Sequence, residues 1–151
     1  MRLSHLLQHV AIRSLTGSAD AVVRAVHHDS RAVGPQDLFV AIPGARADGR
    51  RFVPGLTCAA VIAEGPVDAQ PGVAVVLVDD ARLALAQCAA ALAGHPAASM
   101  PVVAITGTNG KTTTTWLVEA LVSAAGWKAG VIGTNGHRVA GTPLPAVHTT
   151  P

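Results

Sequence analysis

The sequence predicts an α/β fold in two domains, and two patterns carry this prediction. Short apolar runs alternate with helical segments up to residue 94, and a new apolar run, glycine-rich turn and helix begin at residue 101. The small-residue linker HPAASM, 95–100, lies between them, so we place the domain boundary there, with one domain over 1–98 and the beginning of another over 99–151. Half of the 151 residues are apolar and 13% are charged, which indicates a packed core rather than disorder.

The first domain is predicted to be a small α/β domain with three or four strands. Leucines at helical spacing in MRLSHLLQHV predict a short opening helix. Strands are predicted for AVVRAV, DLFVA, AAVIAE and VAVVLV, which polar or Gly-Pro turns separate. The helix ARLALAQCAAALAG follows, with Asp79 or Asp80 as its N-cap. Its apolar stripe is predicted to consist of Leu83, Leu85, Ala86 and Leu92.

Charge and cysteine content exclude several classes of protein. The net charge is +2 and no basic block alternates with aromatic residues, which argues against a nucleic-acid partner. No apolar run reaches the length of a membrane span, so we expect a soluble, cytoplasmic protein without a membrane partner. Cys58 and Cys88 belong to no C-x-x-C pair and are interpreted as two reduced core thiols.

The stretch AITGTNGKTTTTWLVEAL, 104–121, has the pattern of a phosphate-binding loop. We predict a strand over PVVAIT, a turn at Gly107–Gly110, a helix over Thr112–Ala125 and a second strand over KAGVIG. Glycines let backbone N–H groups approach a phosphate, and the helix N-terminus favours an anion. Lys111 would then reach the β- and γ-phosphates, and the hydroxyl of Thr112 would hold Mg²⁺. After residue 134 we expect mostly loop, with a hairpin at Asn135-Gly136.

The loop departs from the general P-loop pattern at one position. That pattern has a glycine five residues before Gly110, where this sequence has Ile105, and the first glycine is Gly107. A glycine-rich turn with a solvated lysine stays open as the alternative, although the flanking strand and helix favour a phosphate site. Thr114 and Thr115 are compatible with either reading.

The variant GTNGKTT resembles the ATP loop of the Mur ligases, cytoplasmic enzymes that add amino acids to the UDP-linked peptidoglycan precursor. The segments HDSRAVGPQDLFVAIPG, GARADGRRFVPGLTCAAVIAE, VDDARLALAQCAAAL, GVIGTNG and HTTP are similar to those of MurE-type members, so the resemblance covers essentially the whole chain. MurF-type ligases share the features of the first domain and remain an alternative. A nucleotide- or UDP-sugar-binding module without ligase activity is the alternative from another class.

The resemblance implies a role for each matching position. ATP would be bound by the loop residues Gly107, Thr108, Asn109, Gly110, Lys111, Thr112 and Thr113, with Lys111 as the catalytic group and Thr112 on the metal. The UDP-N-acetylmuramoyl substrate would be bound by His28, Ser30, Ala45, Arg46, Ala47, Thr149 and Thr150. Ala45 and Arg46 depart from a common His-Gln, and His148 stands where Asn is common. Taken alone, Ser30 would be interpreted as a turn hydroxyl.

The implied reaction is the ATP-dependent addition of a diamino acid to UDP-N-acetylmuramoyl-L-alanyl-D-glutamate. Family members also use a Glu and a His that hold Mg²⁺, a carbamylated Lys and a C-terminal domain that binds the amino acid. None of these matches a segment before residue 151. We therefore expect the second domain to be the truncated start of a P-loop parallel-sheet ATPase domain. We also expect the chain alone to be inactive and to lack the diamino acid site.

Overall fold

The computed structural model of the chain describes residues 1–44 and 47–145. The chain divides into two compact units, Met1–Met100 and Pro101–Pro151, and each combines helices with a β-sheet. The α/β class is therefore confirmed. Among the described residues, no helix is both long and apolar enough to cross a bilayer.

The first unit is built on a five-stranded sheet in the order β1-β5-β4-β3-β2. Strands β2 to β5 are parallel, and β1 pairs with β5 in the antiparallel direction. The sequence did not predict β1, because an edge strand with four of its five residues exposed lacks an apolar run. The strands are β1 Ile12–Thr16, β2 Ala25–His27, β3 Asp37–Ala41, β4 Ala60–Ala63 and β5 Ala74–Val78.

Strands β3 and β4, in the interior of this sheet, are buried on both faces, which explains their continuous apolar sequences. Because side chains alternate along a strand, Leu38 and Val40 of β3 join one core cluster and Phe39 joins the other. The first cluster includes residues of the helices α1 Leu3–Leu6 and α2 Ala81–Leu92. The second cluster includes Val53 of a 3-10 segment, Gly49–Gly55.

The buried face of α2 differs from the predicted stripe. Leu83 is 54% exposed, and Leu85 and Leu92 lie only at the margin of the core. Small side chains allow a helix to approach a sheet closely, so the wider leucines are displaced to its sides. The residues of α2 that are buried are Ala81, Ala84, Cys88 and Ala91.

The N-cap of α2 is Asp80, whose carboxylate accepts a hydrogen bond from the backbone N–H of Leu83 at 2.9 Å. Replacing Asp80 with Ala leaves this N–H without its partner and is expected to reduce the free energy of unfolding of the first unit by about 1 kcal/mol. Asp79→Ala is the matched control, because Asp79 makes only an exposed ion pair with Arg13 at 3.5 Å. Urea unfolding, monitored by alkylation of the cysteines, measures the difference in stability between the two variants, since both thiols lie in the first unit. Equal midpoints for the two variants would contradict the cap.

The two cysteines are free and buried, as expected. Cys58 belongs to one core cluster and Cys88 to the other, on opposite faces of the sheet. Burial raises the pKa of the Cys88 thiol to about 11 and also raises the pKa of Cys58. Both groups are therefore neutral, unreactive core side chains near neutral pH.

The second unit consists of the helix α3 Lys111–Ala124 followed by a three-stranded antiparallel sheet in the order β6-β7-β8. The strands are β6 Gly130–Gly133, β7 Gly136–Val139 and β8 Thr142–Leu144. The helix and β6 agree with the predicted segments to within one or two residues. Thr134 and Asn135 form the turn between β6 and β7, and Gly133 pairs with Gly136.

Two expectations for this unit were wrong. Residues 101–106, predicted as a strand, belong to none in the structure, and residues 136–144, expected to be mostly loop, form the strands β7 and β8. The hairpin expected at Asn135-Gly136 is present, with its turn one residue earlier, at Thr134 and Asn135. The β6–β7 hairpin closes through a two-residue turn, so its pairing is local. Strand β6 is an edge of its sheet, and residues 101–106 do not pair with it.

Candidate phosphate and sugar sites

The glycine-rich turn adopts backbone conformations that favour glycine at two positions. Gly107 has φ of 147° and Gly110 has φ of 77°. Gly110 is the N-cap of α3, so its left-handed conformation turns the chain directly into the helix. Thr108 and Asn109 lie between the two glycines and are exposed.

The N-terminus of α3 presents unpaired backbone donors. Thr114 donates the first helical hydrogen bond, to the carbonyl of Gly110 at 2.9 Å. The N–H groups of Lys111, Thr112 and Thr113 precede this bond, so none has a carbonyl partner within the helix. The N-cap residue Gly110 has no side chain with which to cap the helix, and none of the described side chains does so in its place. Its partial positive charge is therefore available to an anion.

The ammonium group of Lys111 lies over the turn. Its Nζ donates to the carbonyl oxygens of Gly107 and Thr108, the latter at 3.5 Å. A phosphate that enters the turn would replace these carbonyls as the partner of the ammonium. The structure thus brings the lysine, the glycines and the helix N-terminus together.

The four threonines 112–115 differ in hydrogen bonding and exposure. The hydroxyl of Thr115 donates to the carbonyl of Lys111 at 2.8 Å and is satisfied within the helix. Thr112, Thr113 and Thr114 are exposed. No group of three or more His, Cys, Asp or Glu residues that could hold a metal occurs within residues 1–44 and 47–145. Mg²⁺ commonly keeps several waters and takes few protein oxygens beside nucleotide phosphates, so the single hydroxyl of Thr112 fits such a site.

A cavity of about 210 Å³ adjoins the first turn of α3. One wall is the N-terminal part of the helix, and the facing wall is the β6–β7 turn. Its lining combines polar residues, among them Lys111, Thr112 and Thr134, with the aromatic residue Trp116. The complete lining is Ile105, Lys111, Thr112, Thr115, Trp116, Val131, Ile132, Gly133, Thr134, Asn135, Gly136 and Arg138.

In the first unit, the predicted sugar-site residues follow the carboxyl ends of parallel strands, where ligands of α/β proteins usually bind. After β2, the carboxylate of Asp29 accepts from the backbone N–H of Arg31 at 3.0 Å and from its guanidinium Nη2 at 2.6 Å. These hydrogen bonds lower the pKa of Asp29. Ser30 lies in the middle of this turn, half-buried, and its hydroxyl makes no hydrogen bond to another residue that the structure describes. His28 is exposed beside it and is a further, smaller cause of the lowered pKa of Asp29.

A second turn of the same kind follows β3. Asp48 accepts from the backbone N–H of Arg50 at 2.9 Å and from its Nη2 at 2.6 Å, which lowers the pKa of Asp48. This turn packs against the first one. The repeated Asp-x-Arg spacing, DSR at 29–31 and DGR at 48–50, was the unused sequence signal for it.

The loop between β3 and this turn is closed by backbone contacts. Gly44 donates to the carbonyl of Ala47 at 3.1 Å, and Gly49 donates to the carbonyl of Ile42 at 3.0 Å. Pro43 and Asp48 form an isolated bridge. Ala47 is therefore held near the end of β3. The predicted contacts Ala45, Arg46, Thr149 and Thr150 lie outside the described residues, as does His148.

The first unit has a parallel-rich sheet, and the second contains a glycine turn at a helix N-terminus, a feature that phosphate-binding loops share. Residues 22–120 match the family described as "Mur ligase family, catalytic domain", and residues 105–151 match the "Mur ligase middle domain". The chain belongs to the Mur ligase family, which confirms the resemblance drawn from GTNGKTT and the surrounding segments.

Individual relatives agree with this assignment. The UDP-N-acetylmuramoyl-L-alanyl-D-glutamate–2,6-diaminopimelate ligase of Geobacter metallireducens is 41% identical over 100% of this chain. A solved structure of a ligase with the same name has a TM-score of 0.75 over 99% of this chain and 30% of its own, at 23% identity, so it supports the fold alone. The MurF ligase of Thermotoga maritima in complex with ADP has a TM-score of 0.51 at 30% identity, over 70% of this chain and 24% of its own. This chain spans 30% of the Geobacter relative.

Proposed function

We propose that this chain supplies the sugar-nucleotide unit and the ATP loop of an amide ligase acting in the cytoplasm. The ligase would add a diamino acid to UDP-N-acetylmuramoyl-L-alanyl-D-glutamate during peptidoglycan synthesis. The observation that carries the proposal is the Lys111 ammonium over a glycine turn at an uncapped helix N-terminus. The Geobacter relative, whose name specifies 2,6-diaminopimelate, makes that diamino acid the favoured one.

The proposed reaction proceeds in two transfers. A carboxylate oxygen of the substrate attacks the γ-phosphorus of ATP, and the bond from that phosphorus to the β–γ bridging oxygen breaks. ADP departs, and the substrate carboxylate has become an acyl phosphate. The amine of the diamino acid then attacks the acyl carbon, phosphate departs with the bonding electrons, and the amine loses a proton. Negative charges must approach in the first transfer, so the ammonium of Lys111 and the amides of α3 would stabilise them. Mg²⁺, held through Thr112, would neutralise further phosphate charge.

The proposed sugar-nucleotide site includes His28, Ser30 and Ala47, and we propose Ala45 and Arg46 as further contacts of the same ligand. Ser30 supports it because a half-buried hydroxyl between two charged turn residues has no partner among the described groups. The turn itself is held by Asp29 and Arg31, so the hydroxyl is free to donate to a ligand oxygen. Thr149 and Thr150 are proposed to contact the muramoyl part of the same substrate.

The proposal is tested by titrating the chain with the UDP-N-acetylmuramoyl dipeptide and with the corresponding tripeptide. A MurE-type ligase is expected to prefer the dipeptide, whereas a MurF-type ligase uses the tripeptide. Ser30→Ala should weaken dipeptide binding by about tenfold, the loss of one hydrogen bond in a ligand site. Ser14→Ala, an exposed serine of β1, is the matched control. Failure of both ligands to bind at millimolar concentration would refute a sugar-nucleotide site in this unit.

A further inference from the structure

The hairpin of the second unit is held to α3 by a polar cluster. Within the described part of this unit, residues 101–145, only Val131 and Arg138 are buried. An apolar core therefore contributes little to the contact between the helix and the sheet. Arg138 lies on the central strand β7, between Val131 of β6 and Pro143 of β8.

The guanidinium of Arg138 makes two kinds of contact with α3. Its Nε donates to both carboxylate oxygens of Glu119 at 2.9 and 2.7 Å, and Nη2 donates to Oε2 as well. The two side chains are 10% and 11% exposed. Its central carbon also lies 3.7 Å from the ring centroid of Trp116, a cation–π contact. Because Trp116 and Glu119 are three residues apart, they share one face of the helix.

This cluster adjoins the cavity beside the phosphate loop. Arg138 and Trp116 line the cavity together with Lys111 and the turn residues Thr134 and Asn135. Arg138 is three residues from Asn135, in the strand that the turn begins. Fixing Arg138 to α3 therefore fixes the distance between the turn and Lys111.

We propose that Arg138 is a positioning residue. Through its contacts with Glu119 and Trp116, it holds the β6–β7 turn in place as the second wall of the cavity beside Lys111. The inference rests on the proposed ATP site. Arg138 itself is committed to the carboxylate and the ring, so it acts on the nucleotide through Thr134 and Asn135. Without the guanidinium fork, the hairpin can shift away from the helix and the cavity loses its defined width.

Trp116 provides the measurement. In the Trp127→Phe background, Trp116 is the chain's only tryptophan, and its emission should change when MgATP enters the adjoining cavity. Arg138→Lys keeps the charge but loses the fork and the planar stack. It is expected to raise the MgATP dissociation constant about tenfold and to diminish the emission change. Val139→Thr, an exposed position on the same strand, should leave both unchanged.

Three comparisons separate the possible outcomes. A role in folding alone would lower the unfolding midpoint of Arg138→Lys but leave its MgATP affinity at the background value at temperatures where it is folded. Glu119→Gln, which removes the charge from the other partner, should weaken MgATP in the same direction as Arg138→Lys. Wild-type affinity in both variants, or failure of both to fold, would overturn the positioning role. Absence of MgATP binding in the background itself would instead refute the proposed ATP site.

Discussion

Replacing Lys111 with Ala is expected to weaken MgATP binding to this chain by about 10- to 100-fold. The ammonium now lies over the carbonyls of Gly107 and Thr108, at the position where phosphates would enter the turn. A hydrogen bond to a charged group contributes about 1.5–3 kcal/mol, which corresponds to this range of affinity. Titration with MgATP, monitored by the fluorescence emission of the tryptophans in the same unit, measures the change in affinity.

The second lysine of the chain provides the control. Lys128 is exposed and lies outside the cavity, so Lys128→Ala removes the same charge without affecting the turn. In a complete ligase that contains this sequence, Lys111→Ala should also reduce kcat by about a hundredfold or more, because the contact strengthens as charge develops on the transferred phosphate. Dipeptide binding should change much less, since its proposed contacts lie elsewhere. Equal MgATP affinities for the two lysine variants would contradict the ATP site and support the alternative, a glycine-rich turn with a solvated lysine.

Replacing Gly49 with Ala is expected to lower the free energy of unfolding of the first unit by about 1–3 kcal/mol. An added Cβ would lie 2.8 Å from the backbone nitrogen of Ile42 and 2.9 Å from the carbonyl carbon of Ala41. Both are backbone atoms at the end of a buried strand and cannot move aside as a side chain could. The hydrogen bond from the Gly49 N–H to the carbonyl of Ile42, which closes the loop that carries Ala47, would lengthen or break.

The same substitution should weaken binding of the UDP-N-acetylmuramoyl dipeptide by about tenfold or more, because that loop is part of the proposed sugar-nucleotide site. Gly55→Ala is the matched control, since it belongs to the same 3-10 segment and its added Cβ would meet no atom within 4 Å. Cysteine alkylation in urea reports stability, and calorimetric titration reports affinity. A Gly49→Ala chain with the stability and affinity of Gly55→Ala would show that the close approach is unimportant.

The sequence alone determined the class of the fold, the family and the position of the glycine turn before α3. Strands such as DLFVA and AVIA were predictable because a strand buried on both faces has a continuous apolar sequence. The helix after GTNGK was predictable because the glycine turn and the helix lie next to each other in the chain. These features depend on local chemistry, which a single stretch of residues contains.

Only the tertiary structure decided which faces and pairs are used. It placed small residues of α2, and not the leucines, against the sheet, because the closeness of helix and sheet depends on both surfaces. It left 101–106 outside any strand and paired β6 with β7, since a ladder needs a partner that the sequence of one strand does not specify. It joined Glu119 to Arg138, nineteen residues apart, and brought Gly49 against Ile42. Contacts between distant segments follow from the packing of whole elements, which no local pattern records.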